Sequence, residues 1–393
     1  MASHPRSLVV RAAFFVLAAT LAGCAEAPDQ RLWVEAKING HPAHLFVDTG
    51  SSTAMVLHDR APALGLKINY NPNGPGLTDP ATLEFWNSTI TTRFAVDQVP
   101  SYVALDMDGV IGWAQLRGKI VRLDATARSL TPLDHLPNEV AGWTKLRVRP
   151  NPRIMTLEVP ASFGDLGGLI YVDTGNPGGV GLSPTHWKAW RAAHPLDPAT
   201  LRLYYTPAAR GRTGPQTNQL IPGAVVAEEM WASAIALGPV LISATPVSES
   251  DPATAEIGGP RHLATLGLAA LRRLDFIYDG VNNYVYLRPA ATPPIPYPHN
   301  RLGAVFTPAD YTHDYVIAQV EPGGPADRAG LRNGDQVTSI NGHAHLNWLI
   351  HPESGMINFE WPWVSAIHIH VQRGGEEVQI GVLLENIIGP PNN

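Results

Sequence analysis

The chain has 393 residues, room for two or three domains with cores of their own. Its 45% hydrophobic and 16% charged residues exclude a disordered chain. A net charge of −6 excludes a broad basic surface for nucleic acid, and 36 Gly with 36 Pro favour short strands and turns over long helices.

From the N-terminus, Arg6 and Arg11 precede a short apolar stretch, "AAFFVLAATLAG", that runs up to the only cysteine, Cys24. It is too short to span a bilayer comfortably, and its basic start predicts a cleaved export signal over residues 1–23. Leu21-Ala22-Gly23-Cys24 resembles the lipobox of bacterial lipoproteins; the plainer reading is an ordinary signal with an incidental cysteine. The resemblance implies that Cys24 is lipidated and holds the chain to the membrane of the cell envelope, on the periplasmic side. Ala25 follows the cysteine where many inner-membrane lipoproteins carry Asp, so the outer membrane is expected. After residue 24 no run is long and apolar enough for a transmembrane helix.

The block from 31 to 288 contains an internal repeat. Its first copy opens "LWVEAKINGHPAHLFVDTG": two strands around an Asn-Gly turn, then the loop Asp48-Thr49-Gly50-Ser51-Ser52. The second opens "MTLEVPASFGDLGGLIYVDTG", again two strands around a Gly-containing turn, then Asp173-Thr174-Gly175-Asn176-Pro177. The copies close alike, as "GVIGWAQLRGKIVRLDATARSLTPL" and "ATLGLAALRRLDFIYDGVNNYVYLRP". Each closing segment predicts a buried strand, a Gly, a short helix and two strands around a turn. With Gly112 set on Gly267, Asp124 and Asp279 both fall twelve residues later. The Asp-to-Gly spacing is 64 residues in the first copy (48 to 112) and 94 in the second (173 to 267), so the second copy carries an insertion.

Two apolar strands ending in Asp-Thr-Gly, each followed by an apolar pair and Gly ("VIG", "TLG"), resemble aspartic proteases of the pepsin and retropepsin clan. The closing sequence is most similar to bacterial retropepsin-like aspartyl proteases. The resemblance covers 31–288 as two fused lobes, 31–135 and 145–288, and implies a mainly β fold. It implies a catalytic dyad of Asp48 and Asp173 that hydrolyses a peptide or protein substrate without a cofactor or a metal. The residue types suit that chemistry. Two carboxylates within hydrogen-bond reach share one proton, so one can activate a water while the other polarises the scissile carbonyl. Gly50 and Gly175 let the loops turn tightly. Thr49 and Thr174 are implied to brace the loops through hydroxyl-to-backbone hydrogen bonds. Ser51 is expected to bond Asp48, whereas Asn176 at the matching position departs from the pattern and has a different reach. The competing reading is a peptide-binding or scaffolding lipoprotein whose lobes have lost activity.

A flap over the substrate has two candidate tips, 71–76 and 208–214, each equally readable as a surface loop. The chain has no Gly-x-Ser-x-Gly and no His-Glu-x-x-His. His368 and His370 share one strand face and read as a solvated face rather than a metal site.

Five prolines in "RPAATPPIPYPHNR" predict an extended spacer over 289–300. Beyond it, "VIAQVEPGGPADRAGLRNGDQVTSINGH" (316–343) resembles a PDZ domain of the bacterial type, giving a last domain over 301–386. "RLGAVF" matches that family's carboxylate-binding loop. Leu302, Gly303, Ala304, Val305 and Phe306 are therefore expected to receive a partner's C-terminal peptide as an added strand. The alternative is a domain that merely packs on the large block. The sequence thus predicts a membrane-tethered aspartic endopeptidase with a PDZ domain.

Overall fold

The computed structural model describes residues 32–51, 53–70, 76–97, 107–124, 129–150, 157–163, 166–176, 178–207, 222–250, 261–290, 297, 299–308, 315–344 and 364–389. The export signal, Cys24, Ser52, Pro177 and both flap candidates (71–75 and 208–214) lie outside them. The described chain is mainly β, in four sheets.

The first hairpin shows how local sequence places a loop. Strand Trp33–Ile38 alternates buried Val34, Ala36 and Ile38 with exposed Glu35 and Lys37. Asn39 and Gly40 then turn with φ of 50° and 81°, the left-handed pair that suits a two-residue hairpin. The return strand His41–Asp48 buries Ala43, Leu45 and Val47, which leaves Asp48 as the last residue before the loop. It runs parallel to Gly109–Gly112, with Asp48 level with Gly112. The second copy repeats the arrangement. Leu166–Val172 runs parallel to His262–Leu266, with Val172 level with Leu266.

These strands belong to a nine-stranded sheet in lobe one and an eight-stranded sheet in lobe two. A five-stranded sheet is built from both copies. In it, Ile120–Asp124 pairs antiparallel with Leu274–Asp279, and Arg122 faces Ile277. The alignment of Gly112 with Gly267 makes those two residues equivalent, so the pairing is centred on the two-fold relation of the repeat. One hydrophobic core runs through both lobes, joining Leu45, Ile111 and Trp113 to Ile170, Leu182 and Leu266. Fully burying a side chain of that size contributes about 1.5–3 kcal/mol.

The fourth sheet orders Ala304–Pro308, Val316–Val320, Gln336–Ile340, Ala366–Arg373 and Glu376–Leu383 side by side, with His343–Ala344 paired to Gln336–Ile340. It encloses a separate core of Leu302, Phe306, Val337 and Ile369, as an independent domain requires. The proline-rich segment leading to it is fastened at its far end. The Thr200 hydroxyl donates to the Asn300 carbonyl at 3.1 Å, and Arg202 Nη1 donates to the Tyr297 hydroxyl at 2.5 Å.

Candidate functional site

Asp48 and Asp173 occupy loops of the same construction. In each, the residue after the closing Gly donates its N–H back to the loop: Trp113 to the Ser51 carbonyl at 2.9 Å, and Leu268 to the Asn176 carbonyl at 2.8 Å. Gly112 and Gly267 make this approach possible. A Cβ there would lie 2.4 Å from the Thr53 carbonyl oxygen and 2.3 Å from that of Gly178, closer than carbon and oxygen pack.

The loops lock across the lobes. The Thr49 N–H donates to Thr174 Oγ1 and the Thr174 N–H to Thr49 Oγ1, both at 3.0 Å. Each hydroxyl then donates onward into the other lobe, Thr49 to the Val172 carbonyl at 2.6 Å and Thr174 to the Val47 carbonyl at 2.8 Å. Both threonines are buried. These four hydrogen bonds, joining six polar groups, are therefore made only when the lobes are together.

The brace brings the carboxyl groups of Asp48 and Asp173 into a shared hydrogen bond. Gly50 N–H donates to Asp48 Oδ1 at 2.7 Å, and Gly175 N–H to Asp173 Oδ1 at 2.9 Å. Loss of hydration pushes both carboxyls above the ordinary range. Asp173 is raised further, by the charge of Asp48 beside it. Asp48 is held back by N–H bonds from Gly50, Ser51 and Gly175. The pair accordingly titrates as one unit that keeps a proton well above the usual carboxylate range. Such a unit can accept a proton at one carboxyl while donating one from the other.

The supports flanking the pair differ between the lobes. The Ser51 hydroxyl donates to the Thr53 carbonyl at 2.9 Å rather than to Asp48, which meets the backbone N–H of Ser51 instead. The Asn176 side chain accepts the Gly178 N–H at 2.8 Å, closing its own turn, and its backbone N–H supports Asp173. Beyond the turn lies a group that the sequence patterns did not single out. Arg202 Nη2 lies 2.6 Å from where a Gly178 Cβ would stand. Arg202 donates to Glu229, and the Tyr297 hydroxyl donates to the same Glu229 oxygen at 3.0 Å. Glu229 is almost fully buried, so this ion pair, between strands Ala199–Pro207 and Pro222–Leu237 beside the second loop, is a desolvated one.

In the last domain Leu302, Ala304, Val305 and Phe306 are all buried, and Gly303 turns with φ of 68°. Ala304–Pro308 is the edge strand of its sheet. His368 is exposed, and His370 lies 3.1 Å from Glu377 on the neighbouring strand. Among the described residues no group of three or more His, Cys, Asp or Glu is gathered to hold a metal.

Fold and site together define a mainly β chain: two matched lobes that share a pair of carboxyl groups, followed by a PDZ domain. The profile of the PDZ domain family matches residues 316–346, the stretch from strand Val316–Val320 into the turn after Gln336–Ile340. The chain therefore carries a protein-interaction module. It matches none of the curated protein sequences.

Proposed function

We propose that the chain is an aspartic endopeptidase tethered to the periplasmic face of the outer membrane through lipidated Cys24. The observation that carries the reading is the shared hydrogen bond of Asp48 and Asp173, held by loops cross-braced between matched lobes. Asp48, supported by three N–H groups, is the carboxylate that ionises, and Asp173 keeps the proton. A water between them gives a proton to Asp48 as its oxygen bonds to the scissile carbonyl carbon. Asp173 donates its proton to the carbonyl oxygen. The tetrahedral carbon then collapses and the C–N bond breaks, the nitrogen leaving with the proton from Asp48. Asp173 recovers its own from the hydroxyl. No covalent intermediate forms.

Digestion of a peptide library by the wild-type protein and by Asp48→Asn tests the activity. Cleavage that disappears in the variant supports the dyad. A wild-type protein that binds peptides without cutting them would favour a scaffolding lipoprotein. The tether is tested apart from the chemistry: Cys24→Ala should move the protein from the membrane to the soluble fraction with its fold intact. The PDZ domain would recruit substrates or partners by their C-termini.

A further inference from the structure

The loop before the PDZ edge strand already has an occupant. Asn300 Oδ1 accepts the N–H of Leu302 at 3.0 Å and that of Gly303 at 3.2 Å, within buried surroundings. Two successive backbone N–H groups beside a left-handed glycine make a concavity suited to an anionic oxygen. An uncharged amide oxygen fills it. The remaining atoms of Asn300 face elsewhere. Nδ2 donates to the Leu201 carbonyl of lobe two at 2.8 Å and to the Ala304 carbonyl at 3.0 Å, and the backbone carbonyl accepts from Thr200. One buried side chain thus fills the loop and fastens the PDZ domain to lobe two.

The fastened strands are both sheet edges. Ala199–Pro207 ends the sheet of lobe two, Ala304–Pro308 ends the PDZ sheet, and the two lie against each other. An added peptide strand would need the same PDZ edge. Glu321, next to the loop, is half-buried, and loss of hydration and the charge of Glu228 in lobe two both work against its ionisation.

We propose that Asn300 is the resident occupant of the carboxylate loop, so that docking of the PDZ domain on lobe two and capture of a partner's free C-terminal carboxylate exclude one another. The inference rests on the PDZ part of the proposed function and is independent of the peptidase part. A carboxylate makes charge-assisted bonds to the two N–H groups, roughly twice as strong as those of an amide oxygen. It can therefore displace Asn300, while its measured affinity is lowered by the share of molecules that are docked.

The test uses full-length protein carrying Asp48→Asn, so that no probe is cleaved, and fluorescein-labelled decapeptides ending in Val, Leu or Phe. Each peptide is made with a free carboxylate and with a C-terminal amide. The free acids should bind and the amides should not. Asn300→Ala should tighten binding at least about tenfold, and Thr200→Val, which loosens docking while leaving the loop intact, severalfold. Saturating peptide should raise deuterium uptake across 199–207. The proposal falls if the free acids bind all three proteins equally, if no protein distinguishes acid from amide, or if bound peptide leaves uptake across 199–207 unchanged. Should Asn300→Ala not fold, Thr200→Val and the exchange measurement decide.

Discussion

Gly50 of lobe one lies against the carboxyl of Asp173 in lobe two, so closely that a Cβ at position 50 would stand 2.6 Å from Asp173 Oδ1. Gly175 stands in the same relation to Asp48, at 2.5 Å. Each glycine therefore supports its own aspartate by an N–H and makes room for the other's. Gly50→Ala should push Asp173 off its partner and lower kcat/KM on a peptide substrate about 100-fold, as a displacement near 1 Å does. Gly142→Ala, where a Cβ meets nothing within 4 Å, is the control. Equal turnover by the two variants would show that crossed packing does not hold the pair.

The raised carboxyl of Asp173 fixes a sign for stability against pH. A carboxyl whose pKa rises on folding adds stability below its unfolded value of 3.8. That stability is lost as pH climbs through the folded value. Asp173→Asn removes the group whose ionisation opposes folding. The variant should be more stable than wild type at pH 7, where the folded carboxyl is held against ionisation and the unfolded one is not. The difference should shrink towards pH 4. Urea midpoints at the two pH values measure it, and a difference that grew on acidification would reverse the assignment.

Thr49→Val leaves the Val172 carbonyl and the Thr174 N–H without their buried partner. At about 1–3 kcal/mol for each unsatisfied group, the loss should be about 2–6 kcal/mol. Thr49→Ser keeps the hydroxyl and should recover most of it. Chemical denaturation of both variants separates lost hydrogen bonds from lost methyl packing.

Arg202→Ala strands the carboxylate of Glu229, which is 3% exposed. Removing one partner of a buried pair costs about 3–5 kcal/mol, and adding Glu229→Gln should return a good part of that. A double variant no more stable than Arg202→Ala would mean that Tyr297 alone satisfies Glu229.

Much of this architecture could be read from the chain. Asp48, Asp173, Gly112 and Gly267 stand at matching places in the repeat, and at the two glycines the close approach of a neighbouring carbonyl leaves no room for a Cβ. Alternation of buried and exposed residues fixed the first hairpin. What could not be read involves side chains whose partners are remote. Arg202, Glu229 and Tyr297 meet across 27 to 95 residues, and none leaves a periodic trace. Asn300 reads as the end of a proline-rich spacer, and only the contact with Thr200 and Leu201 makes it a clasp. Ser51 was legible as a support but not in its direction, since a nearby carbonyl, that of Thr53, takes its hydroxyl.

The five-stranded sheet has a consequence in time. Ile120–Asp124 leaves the ribosome with its partner, Leu274–Asp279, still to be synthesised. At about 5–20 residues per second the wait is roughly 8–30 s. Through that interval one edge of the strand stays unpaired, the other being taken by Ser129–Leu133, and Asp48 has no partner. The carboxyl pair can assemble only once nearly the whole double-lobed block has been translated, so the order of synthesis itself keeps a half-made chain from carrying a finished site.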